Sequence, residues 1–328
     1  MKNSVILAAA AFLIFVVGFS LLINKTPDSV PVQNTPENIT TEILTTTAIT
    51  TASTTTAVST TKTITIPPVK ISGCTSAMVY CLEMDKIIFS QEIGRIVAPA
   101  SLTKLLTACT VLEYIQPETI YTVGSELYLV QPDSSLCQIN QGQQLTVEQL
   151  ITGMMMASGN DAAYTLAVNT VRNLCPDTNM TDYQAVEKFC VLMNELAAQL
   201  GMESSHFVNP DGWDNSEQYT TAYDLCMLAR YASTFPEIRE AASCSEKQIT
   251  LLSGEVFNWH NSNKLLDPQS EFYNKNVSGL KTGSTLNAGN CLISLFEING
   301  LSYLSIVTGC ETDYDRYNLT LRLINEYT

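Results

Sequence analysis

Three short runs, Ser101-Leu102-Thr103-Lys104, Ser158-Gly159-Asn160 and Lys281-Thr282-Gly283, hold the residue types of an acyl-transfer site. A serine hydroxyl is a weak nucleophile until a base takes its proton. Ser101 and Lys104 stand one helical turn apart, so both project from one face. A lysine close to a helix start and to other cations gives up its proton more readily, which suits a general base. Ser101, at the helix start, also has its own N–H free for an oxyanion, and the helix dipole favours negative charge there. Ser158 adds a hydroxyl for proton relay and Asn160 an amide to hold substrate. Lys281 and Thr282 offer a cation and a hydroxyl to a carboxylate, while Gly283 lets another backbone lie along the strand edge.

Singly, the motifs differ in weight. An SxxK run arises by chance about once in such a chain. A second copy, Ser59-Thr60-Thr61-Lys62, lies in a threonine-rich stretch with no helix to use it. Ser158-Gly159-Asn160 is the one SxN in the sequence, and Ser and Asn are also ordinary helix caps. Lys281-Thr282-Gly283 is rarer, at under about 0.1 expected per chain. Order and spacing join them, since all three fall at the ends of expected elements.

Those elements read as follows. Ser76 to Cys81 and Ile87 to Ser90 form a hairpin around Glu83-Met84-Asp85-Lys86. Leu102 to Ile115 has helical spacing and starts just after a proline and a serine. Thr146 to Met156 is a helix with Thr146 and Gln149 as a capping box. Asp161 to Leu174, Tyr183 to Leu200 and Thr221 to Ala232 continue the helical region. Val277 to Thr282, Asn290 to Ile298 and Leu301 to Gly309 are strands, the last two joined by an Asn299-Gly300 turn. Asp313 to Tyr327 closes the chain as an amphipathic helix. The fold class is α/β in the mixed α+β sense: a sheet from both chain ends, an all-helical insert between, and the active site where they meet.

Ahead of this block, Val5 to Ile23 is an apolar run without charge, flanked by Lys2 and Lys25 and long enough to cross a bilayer. Its small residues come too early for a cleavage site, so residues 1–25 read as an uncleaved membrane anchor rather than a cleaved signal. Either would export the remainder. Residues 26–70 read as a threonine-rich linker with no apolar face to offset the entropy of ordering it. The block 71–328 is the catalytic domain, and it carries 13 Lys and Arg against 29 Asp and Glu. That field repels nucleic acid and anionic lipid surfaces.

Ten cysteines in an exported chain leave room for one or two disulfides, but Cys109, Cys190 and Cys226 fall in apolar helical patterns as small buried hydrophobes. Two histidines and no CxxC give no metal site. His206 and His260, beside Phe207 and Trp259, read as packed, hydrogen-bonded residues rather than catalysts.

Together these motifs resemble the serine active-site family of penicillin-binding proteins and β-lactamases. Within it, residues 74 to 328 are most similar to the low-molecular-weight D-alanyl-D-alanine carboxypeptidases. Pro99 to Lys104, Leu145 to Leu150, Ala157 to Ala163, His206 to Pro210, Tyr219 to Leu225 and Gly279 to Gly283 carry the likeness. The resemblance implies a β-lactamase/transpeptidase-like fold, no cofactor, and cleavage between two D-alanines of a peptidoglycan stem peptide. It implies Ser101 as nucleophile, Lys104 as its base and Ser158 as proton relay to the leaving amine. Asn160 would hold substrate, Lys281, Thr282 and Gly283 its carboxylate-bearing end, and the N–H groups of Ser101 and Ser284 an oxyanion. β-Lactams are implied inhibitors, acylating Ser101. Asn209-Pro210-Asp211-Gly212-Trp213 departs from the pattern, because relatives often have a histidine and a leucine where Asp211 and Trp213 stand. Many relatives also have a C-terminal β-rich domain and anchor, so the run 5–23 is expected to be the sole membrane attachment, on the outer side of a bacterial membrane. The same motifs also fit a D,D-endopeptidase acting on cross-links. A class A β-lactamase would need Glu195 as a deacylating base, and a stalked, non-catalytic wall-binding protein would not need the motifs intact.

Overall fold

The computed structural model describes residues 71–176 and 178–328. The anchor expected at 5–23 and the linker at 26–70 lie outside the described residues. Among the described residues no helix is long and apolar enough to cross a membrane.

A five-stranded antiparallel sheet is built from both chain ends. β1 (Ser76–Cys81) and β2 (Lys86–Gln91) form the first hairpin. β7 (Val277–Thr285), β8 (Gly289–Ile298) and β9 (Leu301–Cys310) complete it in the order β2-β1-β9-β8-β7. Thus β9 pairs with β1 across most of the chain length, Ala77 facing Val307 and Cys81 facing Tyr303. The β8–β9 turn has positive φ at both Asn299 (54°) and Gly300 (78°), the pair of angles that Asn-Gly supplies most cheaply.

Each face of this sheet is covered, which is why its central strands are buried on both sides and mostly apolar instead of alternating strictly with polar residues. Met78 and Tyr80 point into the helical side, while Ala77, Val79 and Cys81 point to the other. On that other face lies the C-terminal helix (Asp313–Tyr327), through Tyr317, Leu323 and Ile324. The helical side holds α1 (Thr103–Tyr114), α2 (Val147–Met156), α3 (Asn160–Leu174), α4 (Asp182–Gln199), α5 (Ala222–Ala232) and α6 (Pro236–Ser243), so the C-terminal helix is α7.

The capping box expected at Thr146 and Gln149 forms, with Gln149 N–H donating to Thr146 Oγ1 at 3.2 Å and Gln149 Oε1 accepting from the Thr146 N–H at 3.0 Å. Elements not expected from the sequence are α6 and two small hairpins. One joins β3 (Ile120–Thr122) to β4 (Gln144–Thr146), the other β5 (Glu246–Thr250) to β6 (Val256–His260). The strand bearing the third motif also runs three residues further than expected, to Thr285. All ten cysteines are free thiols, and Cys109, Cys190 and Cys226 are buried as expected.

Candidate active site

Ser101 sits in a 3₁₀ turn, Ala100–Leu102, that leads directly into α1. Side chains three apart nearly eclipse in such a turn. Lys104 Nζ accordingly donates to Ser101 Oγ at 2.8 Å, and also to the Asp211 carbonyl oxygen at 2.6 Å. Lys104 is fully buried. Burial pushes its ammonium down to about 8, against the pull of the Asp211 and Asp161 charges. At pH 7 on the order of one lysine in ten is then the free amine a serine needs as base.

Two backbones clamp the turn. Ala100 is left-handed (φ 49°), and the loop 209–214 passes over it with Gly212 at φ 89°. A Cβ on Gly212 would overlap the Ala100 carbonyl oxygen, so this close approach requires glycine. From the other side comes β7, where a Cβ on Gly283 would stand only 3.2 Å from Ser101 N. Thr107 Oγ1 ties α1 to the loop by donating to the Pro210 carbonyl at 2.6 Å.

The second motif occupies the break between α2 and α3, with Ser158 at φ 55°. Capping is not its job: the N-cap of α3 is Gly159, without any side-chain capping bond. Instead Ser158 Oγ accepts from Lys281 Nζ at 3.0 Å. Asn160 Nδ2 donates to Ser134 Oγ at 3.0 Å and to Asp211 Oδ2 at 2.6 Å. The next residue, Asp161, accepts the Cys137 N–H at 3.0 Å and the Ile139 N–H at 3.2 Å, which holds the 134–139 loop against the motif.

Lys281, on β7, is as buried as Lys104. Its Nζ also donates to the Thr282 carbonyl at 3.1 Å. Burial, then the nearby Lys104 and Arg316 charges, hold its ammonium well below the usual lysine range. Thr282 Oγ1 lies 2.7 Å from Ser262 Oγ, a pair of hydroxyls facing one spot. Behind the strand, Arg316 of α7 donates to the Gly283 carbonyl at 3.1 Å, Ser284 Oγ at 2.9 Å and the Cys291 carbonyl at 3.2 Å. A groove of about 610 Å³ lined by Leu136, Cys137, Ala157, Trp259 and Ser262 runs beside the second motif.

Hydrogen bonds and chain continuity therefore tie all eight sequence-expected residues into one neighbourhood. Ser101, Lys104, Ser158 and Lys281 make two hydrogen-bonded pairs, Asn160 joins the first through Asp211, and Thr282, Gly283 and Ser284 continue along β7. Four residues were not foreseen as members: Ser134, Asp211, Ser262 and Arg316. Only Asp211 carried a signal, its departure from the pattern of relatives. Glu195 is exposed on the surface of α4, away from the role a lactamase would give it. His206 meets expectation, half-buried against Tyr219 with Nδ1 2.8 Å from the Glu217 carbonyl. His260 does not: it is exposed on β6, because inward Trp259 turns its neighbour outward on a strand.

The family model described as D-alanyl-D-alanine carboxypeptidase (peptidase S11) matches residues 61–312. D-alanyl-D-alanine carboxypeptidase DacF of Bacillus subtilis is 25% identical over 244 residues, 74% of this chain and 58% of its own. DacC of Escherichia coli is 32% identical over 238 residues, 69% of this chain and 54% of its own. The chain thus spans little more than half the length of these curated relatives. Among solved structures, the S216A mutant of the Streptomyces K15 DD-transpeptidase superposes with a TM-score of 0.70 at 24% identity, covering 78% of this chain and 98% of that one. Penicillin-binding protein D2 of Listeria monocytogenes, in its ampicillin-bound form, gives 0.63 at 27% identity, covering 78% and 97%. The sheet and its helical block are the fold of these penicillin-binding D,D-peptidases.

Proposed function

Because the chain belongs to the D-alanyl-D-alanine carboxypeptidase family, we propose that it is a serine D,D-carboxypeptidase that removes the terminal D-alanine from peptidoglycan stem pentapeptides. Lys104 takes the Ser101 proton while Oγ bonds to the carbonyl carbon between the two D-alanines. The N–H groups of Ser101 and Ser284 receive the oxyanion, a reading supported by the close approach of Gly283 to the nucleophile turn. As the C–N bond breaks, Ser158 hands a proton to the leaving amine and recovers it from Lys281. Water then hydrolyses the acyl-enzyme. The leaving residue's carboxylate is held by Lys281, Thr282 and Ser262, and Asn160 orients the acyl half. The observation carrying this reading is the pair of Ser–Lys hydrogen bonds, 2.8 Å at Ser101 and 3.0 Å at Ser158, in two motifs joined through Asn160 and Asp211.

β-Lactams, which present an amide and a carboxylate in the same relation, would acylate Ser101 as substrate analogues. Residues 71–328 would form the catalytic unit, carried by the linker 26–70 on a membrane anchor at 5–23.

The test is a fluorescent penicillin followed by a pentapeptide ending in D-Ala-D-Ala, given to the full chain and to Ser101→Ala. Label on Ser101 with D-alanine released, both lost in the variant, is the expected result. Rapid penicillin turnover without peptide cleavage would make the protein a lactamase, and neither label nor release would leave it a binding protein.

A further inference from the structure

Asp211 is a buried carboxylate at the centre of the site, and the proposed reaction as written above gives it no part. Only 1% of the residue is exposed, and it touches two of the motifs at once. Its backbone carbonyl accepts from Lys104 Nζ, and its Oδ2 accepts from Asn160 Nδ2 at 2.6 Å. Its Oδ1 accepts the Trp213 N–H at 3.2 Å. Every partner of the carboxylate is thus a donor, the arrangement that suits an anion.

Two consequences follow from that geometry. A side-chain amide has an acceptor end and a donor end, and only its neighbours decide which way it points. A carboxylate can receive the Nδ2 end and repels the Oδ1 end. With Asp211 and Ser134 Oγ both taking Nδ2 hydrogens, Asn160 is left to meet a substrate with Oδ1, as acceptor of an amide N–H. The second consequence is electrostatic. Lys104 is attached to the same residue and lies in the same water-free interior, where a nearby negative charge stabilises an ammonium strongly.

Building on the carboxypeptidase reading, we propose that Asp211 is a positioning residue with two effects: it fixes the Asn160 amide with its acceptor toward substrate, and its charge sets the pH at which Lys104 becomes a base. The loop departure noted in the sequence is then a change in the working pH of the nucleophile. Other titratable groups face the pair from each packed element: Asp161 and Tyr164 from α3, Cys190 from α4 and Lys281 from β7. Burial raises the Asp211 carboxyl above the usual carboxylate range, and Lys104 and the Trp213 and Asn160 donors offset that rise only in part.

Asp211→Asn separates the two effects, since it removes the charge but keeps an oxygen for Asn160; Asp211→Ala removes both. The rate of penicillin acylation is measured against pH, with kcat and KM for the D-Ala-D-Ala peptide. In parallel, full chain labelled with ¹³C at lysine Cε is titrated by NMR, Lys104 being assigned from its absence in Lys104→Arg. In Asp211→Asn the acid limb and the Lys104 titration should both fall by about one pH unit, with KM within about twofold of the parent. Asp211→Ala should show the same fall and a KM raised about tenfold, the loss of one oriented hydrogen bond. A limb and a Lys104 titration unmoved in Asp211→Asn would overturn the electrostatic effect, and an unchanged KM in Asp211→Ala would overturn the orienting one. Were the parent neither labelled nor able to release D-alanine, the carboxypeptidase reading would fall, while the NMR titration would still decide what Asp211 does to Lys104.

Discussion

Two serine–lysine pairs stand in this site, alike in geometry and opposite in surroundings. Ser101–Lys104 and Ser158–Lys281 have N–O separations of 2.8 and 3.0 Å, and both lysines are fully buried. Burial lowers the pKa of each, but the neighbours then act in opposite directions. The carboxylates of Asp211 and Asp161 raise Lys104 part of the way back, to about 8. The cations Lys104 and Arg316 lower Lys281 still further. The first lysine is therefore poised to change its charge near working pH, whereas the second is held well below the usual lysine range. One residue type, buried equally twice, thus suits the proposed base in one place and the proposed proton donor to Ser158 in the other.

An identical substitution at both sites tests that difference most severely. Arginine keeps a positive charge and cannot serve as a base. Lys104→Arg should cut penicillin acylation by about 10³-fold, the weight of a general base. Lys281→Arg retains a cation for the carboxylate and should lose only on the order of tenfold to a hundredfold. Equal losses in a stopped-flow acylation assay would mean that the two lysines do the same work.

The nucleophile pair also depends on the close backbone contact of Gly212 with Ala100. Gly212→Ala would drive a methyl into the Ala100 carbonyl and should cost about 3 kcal/mol or more in thermal or urea unfolding. Gly254 has the same φ of 89° with open space around it, so Gly254→Ala should cost about 1 kcal/mol. Subtracting one from the other leaves the overlap alone. Acylation should fail in the first variant and persist in the second.

Below pH 8, acidity should act on the rate through the first pair. The amine of Lys104 is the active form, so acylation should rise with pH up to about 8 and level off above it. Below that point the rate should drop about tenfold per pH unit, because each unit removes nine-tenths of the free amine. A flat profile between pH 6 and 8 would assign the base elsewhere.

Much of this was legible in the sequence, because the three motifs are local: each is a run of three or four residues whose spacing matches one turn or one strand. The capping box at Thr146 and Gln149 and the Asn299-Gly300 turn were legible for the same reason. What escaped was non-local. Asp211 meets Asn160 across 51 positions, and Arg316 reaches Gly283 across 33, on a helix that reads only as amphipathic. The β5–β6 hairpin escaped because its strands are short and its inward positions mix Lys247 with Ile249, Phe257 and Trp259, which blurs the apolar alternation. Ser158 shows the limit of local reading. Its residue type favours a cap, and only the position of Lys281, 123 residues later, shows that its hydroxyl is used otherwise.

The smallest effect is the most specific to the second pair. Burial and two cations hold the Lys281 ammonium well below the usual lysine range. A bound carboxylate adds the one negative charge the site lacks, and an opposite charge within a few ångströms raises a lysine by one to three pH units. Binding should therefore take up a proton. In Ser101→Ala, which binds without reacting, calorimetry of a D-Ala-D-Ala peptide in buffers of different ionisation enthalpy should show uptake of up to about one proton at pH 8. The same peptide with its C-terminus amidated should show none, since it brings no charge. Thr282→Val should weaken binding by about tenfold through the lost hydroxyl and leave the proton count unchanged, because Thr282 holds the carboxylate without titrating. Uptake that is equal for acid and amide would place the titrating group outside the Lys281 pair and dissolve the contrast between the two lysines.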